Sequence, residues 1–476
     1  MNAVDPSFDL DDLANVSIAR VSRALRERVI SPVELTQAYL RRIEALNPRI
    51  NAFITVTGER ALEDARRAEA ELMAGTDRGP LHGVPIAHKD LYETAGIRTT
   101  GGSKIHADHV PANDCTVVRM LRDAGTVLLG KLNTHEYAYG VTTNNPHYGP
   151  TRNPWDTTRI PAGSSGGSGA AIAAGLAVAT TGTDTGGSIR MPASLCGVVG
   201  LKPTYGRVSK AGVLPLSYRF DHAGPITRTV EDAAIMLNAI AGYDPADPSS
   251  VRTPVIDATE GLRTGVRGLR IGIARSYFFD RLGDDIGAAL QAVIAEFSSQ
   301  GALVQDVDIS GFDAAVGGLF AYVLAEAQEI HANALRTRPQ DFGADLQALL
   351  TAPSPDSAAL MLGLRACDAM NAAMRMALQD VDVLLTPTTP ITAPTIGQDM
   401  VRYGGVEEPM LLAMIRCTGP FNGSGLPALS LPCGFDRSGL PIGMQIAGKP
   451  FDEAMVLRVG HAYEQATAWH VQRPSL

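Results

Sequence analysis

The sequence predicts an α/β fold in which one β-sheet is covered by helices on both faces. Three short apolar runs, at residues 84–87, 127–129 and 381–385, have the length and continuity of strands that are buried on both sides. They alternate with segments of helical periodicity such as 115–124 and 230–241. No charged, low-complexity or Gly/Ser linker interrupts this alternation. We therefore expect a single domain over residues 1–476.

The N-terminal part of the chain predicts three helices and one strand. A helix should begin at Ser31, where Ser31 is the N-cap, Pro32 is the first helical residue and Glu34 completes a capping box. Asn47 and Pro48 should end it. The complete set of N-terminal elements is a helix over 18–28, a helix over 32–46, a strand over 52–56 and a helix over 59–74.

The segment from residue 163 to residue 187 reads GSSGGSGAAIAAGLAVATTGTDTGG. Glycine and serine crowd both of its ends, while small apolar residues fill the middle, which a flexible linker would lack. The pattern predicts glycine-rich turns on either side of a buried helix of small residues, over about 170–179.

Composition and charge exclude several classes of function. The net charge of −9 argues against a general nucleic-acid binder. Five scattered cysteines without C-x-x-C spacing argue against a disulfide framework or a zinc site, and we expect no metal and no cofactor. The acidic N-terminus lacks an apolar signal region, and the longest apolar stretch is about half a membrane span. We expect a soluble cytoplasmic protein that binds neither membrane nor nucleic acid.

The Gly-Gly-Ser triplet at residues 186–188 is suited to acyl transfer. Glycines allow the backbone to turn so that successive N–H groups point into one concavity, as an oxyanion hole requires. The backbone N–H groups of Thr185, Gly186, Gly187 and Ser188 are the candidate donors, with the Ser188 hydroxyl at the rim. Most such triplets are ordinary turns, so the motif needs a base to accompany it.

Lys89 is the candidate base because it closes the apolar run VPIAHK. A free lysine has a pKa of about 10.4, and burial can lower that value by ~3 units. A lysine drawn into the interior can then accept a proton near neutral pH. A side chain that reaches solvent is the ordinary alternative at a strand end.

Four segments together resemble the amidase-signature family. They read GVPIAHKD, PAGSSGGSGAA, TGTDTGGSIRMPASLCGVVGLKPTYGRV and GLPIGMQIAGKPFDE, in the family's order and spacing. The resemblance covers about residues 15–470. It implies the amidase-signature fold, with a mixed, twisted β-sheet as its core. A signature core over about 80–230 would carry a helical segment of about 15–75 packed against it.

The resemblance also implies a role for each matching residue. Lys89 matches the general base, Ser164 the relay serine that follows a cis peptide bond, and Ser188 the nucleophile. The supporting residues would be Ser165, Asp184 and Arg190. The implied activity is hydrolysis of a carbon–nitrogen bond through an acyl-enzyme, without a cofactor.

Three other motifs compete with this interpretation. Residues 163–167 match the nucleophile elbow G-x-S-x-G, which would make Ser165 the nucleophile, but Pro161 is a poor end for a central strand. Residues 125–131 nearly match a phosphate-binding loop, but Leu132 replaces the required Ser or Thr. His135 and Glu136 begin a zinc motif that Tyr139 breaks.

The substrate remains open at this stage. A free-standing amidase for a small-molecule amide is the first hypothesis, and the A subunit of a tRNA-dependent amidotransferase is the second. The A subunits usually read Ser-Leu-Asp-Gln before Ile-Gly-Pro, whereas residues 217–225 here read SYRFDHAGP. A hydrolase of carbamates, ureas or aryl esters could use the same residues. A homodimer is expected from the family.

Family position and residue type also predict a substrate pocket. Aromatic residues in two segments, 137–144 and 217–222, could form a wall for an aryl or other apolar group, and an arginine there could pair with a carboxylate. The predicted pocket residues are Tyr137, Gly140, Thr142, Tyr218, Arg219 and Phe220.

Overall fold

The computed structural model describes residues 8–10 and 12–476 and is built around an eleven-stranded β-sheet. In the described residues the strands are β1 (Phe53–Val56), β2 (Pro85–Lys89), β3 (Val127–Leu132), β4 (Asn144–Asn145), β5 (Gly149–Pro150), β6 (Ala179–Asp184), β7 (Val199–Lys202), β8 (His222–Thr227), β9 (Arg270–Ile273), β10 (Leu303–Asp306), β11 (Val383–Pro387), β12 (Met400–Tyr403), β13 (Val406–Pro409), β14 (Ala428–Phe435) and β15 (Pro441–Gly448). The α-helices are α1 (Ile18–Arg26), α2 (Pro32–Ile50), α3 (Gly58–Met73), α4 (Thr116–Asp123), α5 (Gly166–Ala173), α6 (Arg190–Cys196), α7 (Val230–Ile240), α8 (Arg275–Phe278), α9 (Asp284–Ser299), α10 (Phe312–Thr337), α11 (Ala344–Leu350), α12 (Ser357–Asp380), α13 (Met410–Ile415), α14 (Gly419–Gly423) and α15 (Glu453–Ala466).

The large sheet is mixed, with neighbours in the order β1-β3-β2-β6-β8-β7-β14-β15-β11-β9-β10. Strand β2 runs parallel to β3 and β6, and β9 runs parallel to β10 and β11, while the other neighbours are antiparallel. Every residue of β2, β6, β8 and β15 is buried, because helices cover both faces. The predicted fold class, a mixed α/β sheet with helices on both faces, is confirmed.

Local signals placed most N-terminal elements within a few residues of their observed bounds. The capping box at the start of α2 is present, since Ser31 Oγ accepts from Glu34 N and Glu34 Oε2 accepts from Ser31 N. The predicted end at Asn47 and Pro48 is wrong, because α2 continues to Ile50. The C-cap is Asn51, which adopts a left-handed conformation with φ 56° and donates its N–H to Asn47 O.

The glycine-rich segment contains a buried helix, but a shorter one than predicted. Helix α5 ends at Ala173, and Gly175 then adopts φ +67°, which reverses the chain into β6. The predicted helix over 170–179 is therefore wrong beyond Ala173. At the start of α5 the backbone needs glycine for space, because a Cβ on Gly167 would lie 2.4 Å from Asn133 O.

None of the helices in the described part of the chain is both long enough and apolar enough to cross a bilayer.

Candidate active site

Lys89 is the last residue of β2 and is completely buried. Its Nζ lies 2.7 Å from Ser164 Oγ and 2.7 Å from Thr183 Oγ1 on the neighbouring strand β6. Burial lowers the pKa of Lys89 to about 7, although the carboxylates of Asp221 and Asp184 oppose that shift. A substantial fraction of Lys89 is therefore neutral at physiological pH and able to accept a proton.

Ser164 lies in the loop before α5 and is fully buried. The peptide bond that precedes it, Gly163–Ser164, is cis. The Ser164 carbonyl accepts from His135 N at 3.1 Å and from Thr134 Oγ1 at 3.0 Å. These bonds fix the backbone so that the hydroxyl faces Lys89.

Ser188 lies in the turn between β6 and α6, and its carbonyl accepts from Ser165 N at 3.3 Å. This bond brings the Ser188 turn against the backbone of the Ser164 loop. Among the described residues, no intramolecular acceptor takes the N–H groups of Gly186, Gly187 and Ser188. Gly187 adopts φ +136°, and a Cβ there would lie 2.2 Å from Thr418 Oγ1, so only glycine fits. The turn therefore presents unpaired donors beside a serine hydroxyl.

A buried ion pair between Arg190 and Asp184 supports this turn. Arg190 Nη2 donates to Asp184 Oδ1 at 2.8 Å and Nε donates to Oδ2 at 3.0 Å. Burial alone would raise the pKa of Asp184, but the guanidinium outweighs it and holds the pKa well below its usual range. Ser165 Oγ donates to Thr183 O at 3.1 Å and so links the loop to β6. The predicted supporting residues thus surround the turn.

Sequence reasoning missed several residues that contact the turn and its ion pair. Thr418 Oγ1 donates to Gly186 O at 2.5 Å, and Asn422 Nδ2 donates to Asp184 O at 3.0 Å. Gln445 Oε1 accepts from Arg190 Nη1 at 2.6 Å. The only local signal was a glutamine within the otherwise apolar strand β15. Thr183, which contacts Lys89, carried no signal of its own.

A small, largely apolar cavity of about 30 Å³ opens beside Ser188. We call it the Ser188 cavity. None of the described residues that line it carries a carboxylate, ammonium, guanidinium or imidazole group. Its lining residues are Ala138, Tyr139, Gly140, Val141, Thr185, Gly186, Ser188, Leu216, Leu319, Phe320, Val323, Leu411 and Ile415. Of the predicted pocket residues, Gly140 is in this lining.

The other predicted pocket residues lie outside that lining. The phenol of Tyr137 contacts His106 Nδ1 at 3.1 Å, and Thr142 Oγ1 lies 3.3 Å from His135 Nδ1. Phe220 is buried and packs edge-on against Tyr322. The Arg219 side chain is about half exposed, with Nη2 4.0 Å from Asp368 Oδ1.

Tyr218 is 59% exposed and lines a second cavity, of about 470 Å³, which we call the polar cavity because charged side chains border it. Thr183, Lys210, Asp221 and His222 also border it. Thr183 therefore contacts Lys89 and also borders this cavity.

The competing motifs have structural explanations. Residues 127–132 of the phosphate-loop candidate form the buried strand β3. Glu136 of the zinc candidate accepts from Ser103 Oγ at 2.5 Å and contacts His147 Nε2 at 2.9 Å. No strand in the described residues precedes Ser165 as an elbow requires, since β5 ends at Pro150.

Comparisons with known proteins find relatives that match nearly the whole chain. The profile of the Amidase family matches residues 34–457. The A subunit of the glutamyl-tRNA(Gln) amidotransferase from Moorella thermoacetica is 41% identical, with 98% of this chain and 99% of the relative covered.

Two solved structures are similar over nearly the whole chain. One belongs to a vestigial protein complex that reveals the evolutionary origins of an s-triazine catabolic enzyme. It is 36% identical, with a TM-score of 0.91, and the match covers 97% of this chain and 100% of that one. The other is a bacterial aryl acylamidase, 28% identical, with a TM-score of 0.87 and coverage of 96% and 98%. The chain therefore belongs to the amidase family, the amidase-signature enzymes, and is a hydrolase of carbon–nitrogen bonds other than peptide bonds.

Proposed function

We propose that this enzyme cleaves a small-molecule amide through an acyl-enzyme on Ser188, with Lys89 as general base and Ser164 as proton relay. The 2.7 Å contact between Lys89 Nζ and Ser164 Oγ carries the proposal, because it joins a lysine of lowered pKa to a serine next to the Ser188 turn. The backbone N–H groups of Thr185, Gly186, Gly187 and Ser188 form the oxyanion hole.

The proposed reaction proceeds in two halves. Neutral Lys89 takes a proton from Ser164, which takes one from Ser188 as its Oγ attacks the carbonyl carbon. The unpaired N–H groups of the turn stabilise the oxyanion. Collapse breaks the carbon–nitrogen bond, and the relay returns the proton to the leaving nitrogen. Water then attacks the acyl ester by the same path, which releases a carboxylate and restores Ser188.

A fluorophosphonate probe tests the nucleophile, because it reacts with activated serines. We expect one adduct, mapped to Ser188 by peptide mass spectrometry, and its loss in Lys89→Ala and in Ser188→Ala. An adduct on Ser165 would overturn the assignment and restore the nucleophile-elbow alternative. Lys104→Ala, which alters an exposed lysine, is the matched control and should label like the wild type.

The lining of the Ser188 cavity supports a substrate with an apolar acyl group. Leucine, isoleucine, valine and phenylalanine side chains from α10 and α13 form one wall. Free glutamine would bring an ammonium and a carboxylate into a cavity that no charged side chain among the described residues lines, and burying charges without charged partners is costly.

The A subunit of a tRNA-dependent amidotransferase is the second candidate, and the relatives favour it over a free-standing amidase. The relative that is 41% identical over 98% of this chain is such a protein. On this alternative the substrate is glutamine and activity requires partner subunits.

Kinetics on the purified chain separate the two candidates. We expect the chain alone to hydrolyse amides with an apolar acyl group and to hydrolyse glutamine poorly. Carbamates, ureas and aryl esters of matched structure then show which leaving groups the enzyme accepts. Ile415→Lys should lower kcat/KM for the apolar amide at least about 30-fold, because it places a charge in the cavity. Leu412→Lys, on the same helix but 43% exposed, is the control. No turnover of any amide by the chain alone, with glutamine hydrolysed only once partner subunits are added, would instead favour the amidotransferase alternative. The single domain, homodimer, cytoplasmic location and independence of cofactors stay predictions.

A further inference from the structure

Asp221 lies in the loop before β8 and joins two separate segments of the site. Its Oδ1 accepts from Thr185 Oγ1 at 2.5 Å. Its Oδ2 accepts from the backbone N–H groups of Leu216 and Ser217, at 2.9 and 3.0 Å. One carboxylate therefore ties the first residue of the oxyanion turn to the 216–217 backbone.

Both of these segments line the Ser188 cavity, the first through Thr185 and the second through Leu216. Asp221 itself is partly buried and borders the polar cavity on the other side. A small movement of this carboxylate would shift the Thr185 backbone N–H and the cavity wall together. Displacements of about 1 Å at a reacting centre can reduce rates by ~10²-fold.

The charges around Asp221 are few and identifiable. Burial raises the pKa of Asp221, while Lys210, across the polar cavity, lowers it. Glu326 on α10 accepts from Ser217 Oγ and adds a second negative charge. Toward the interior, Asp221 and Asp184 both raise the pKa of Lys89 against the effect of burial.

We propose that Asp221 is a positioning residue that holds the oxyanion turn and the 216–217 wall in register with Ser188. The inference rests on the proposed function and extends it to a side chain that does not touch the substrate. Asp221 holds the turn through its hydrogen bond with the Thr185 hydroxyl. Its negative charge also stabilises the protonated form of Lys89.

Substitutions at Asp221 and Thr185 separate the effect of the hydrogen bond from the effect of the charge. Asp221→Asn should lower kcat about 10- to 100-fold with KM changed less than about threefold, and should move the acidic limb of kcat/KM to lower pH, because Lys89 loses a stabilising charge. Thr185→Val should lower kcat without moving that limb, and Thr185→Ser, which keeps the hydroxyl, should lose less. Asp247→Asn removes a carboxylate that borders the same cavity but binds Lys210 N and Ser249, and is the matched control.

A wild-type kcat and an unmoved acidic limb in Asp221→Asn would overturn the inference. If Asp221→Asn does not fold, the Thr185→Val variant is sufficient for the test: a kcat equal to that of the wild type would overturn the inference. Failure of the proposed function is a different result, namely a wild-type chain that neither labels at Ser188 nor turns over amides.

Discussion

Lowering the pH should switch the enzyme off by protonating Lys89. The lysine is fully buried, its Nζ is 2.7 Å from Ser164 Oγ, and its pKa is lowered to about 7. Only the neutral amine can accept the proton that Ser164 relays. The rate of acylation should therefore follow the neutral fraction of this one side chain.

The size of the effect follows from the titration of a single group. About half of Lys89 is neutral at pH 7, roughly one tenth at pH 6 and roughly one hundredth at pH 5. The limiting slope below pH 6 is then about tenfold in kcat/KM per pH unit. Lys89→Met, which keeps the length of the side chain, should lower kcat about 10²- to 10⁴-fold, as loss of a general base does.

The assay is kcat/KM for an apolar amide between pH 5 and pH 9 at constant ionic strength. The wild type should show one acidic limb with its midpoint near 7, since kcat/KM reports groups of the free enzyme. Lys89→Met should show a flat residual rate over the same interval, and Lys104→Met should retain the limb. A midpoint near 4, or a limb that survives in Lys89→Met, would refute the assignment of the base.

Three further predictions concern the surroundings of the site. Arg190→Met leaves the buried carboxylate of Asp184 unpaired and should reduce the free energy of unfolding by ~3–5 kcal/mol, as measured by urea denaturation, and an unchanged midpoint would contradict this. Gly187→Ala should reduce kcat more than Gly186→Ala, because a Cβ on Gly187 would lie 2.2 Å from Thr418 Oγ1, whereas a Cβ on Gly186 would lie 3.3 Å from the Ile415 Cδ1 methyl. Equal losses of kcat would count against the turn geometry. Lys89→Met should melt at a higher temperature than the wild type at pH 6, because the lysine binds its proton more tightly in the unfolded chain than in the folded one. This difference lowers the free energy of unfolding of the wild type by up to about 5 kcal/mol below pH 7, and the loss shrinks as the pH rises toward 10.

Much of the fold could be predicted because it depends on local patterns. Buried strands show as continuous apolar runs, and the N-cap of α2 shows as Ser31, Pro32 and Glu34. One local rule failed at Pro48, because α2 continues past it to Ile50 and is capped by Asn51, whose N–H donates to Asn47 O.

The pocket was harder to predict because its walls come from distant parts of the chain. Tyr218, which the sequence associated with the substrate, borders the polar cavity. The Ser188 cavity is lined instead by residues such as Leu319 and Phe320 of α10 and Ile415 of α13, whose apolar character looks like ordinary core. A side chain that lines a cavity and one that fills the core share the same sequence signal.

The sequence by itself determined the α/β class, the family, and which lysine and serines belong to the motif, because all of these are carried by short, contiguous stretches of chain. Only the tertiary structure decided that Lys89 is buried with a lowered pKa, that Thr418, Asn422 and Gln445 contact the turn and its ion pair, and that the Ser188 cavity is apolar. Each of those properties depends on groups separated by tens to hundreds of residues, and burial and electrostatic shifts arise only when folding brings such groups together.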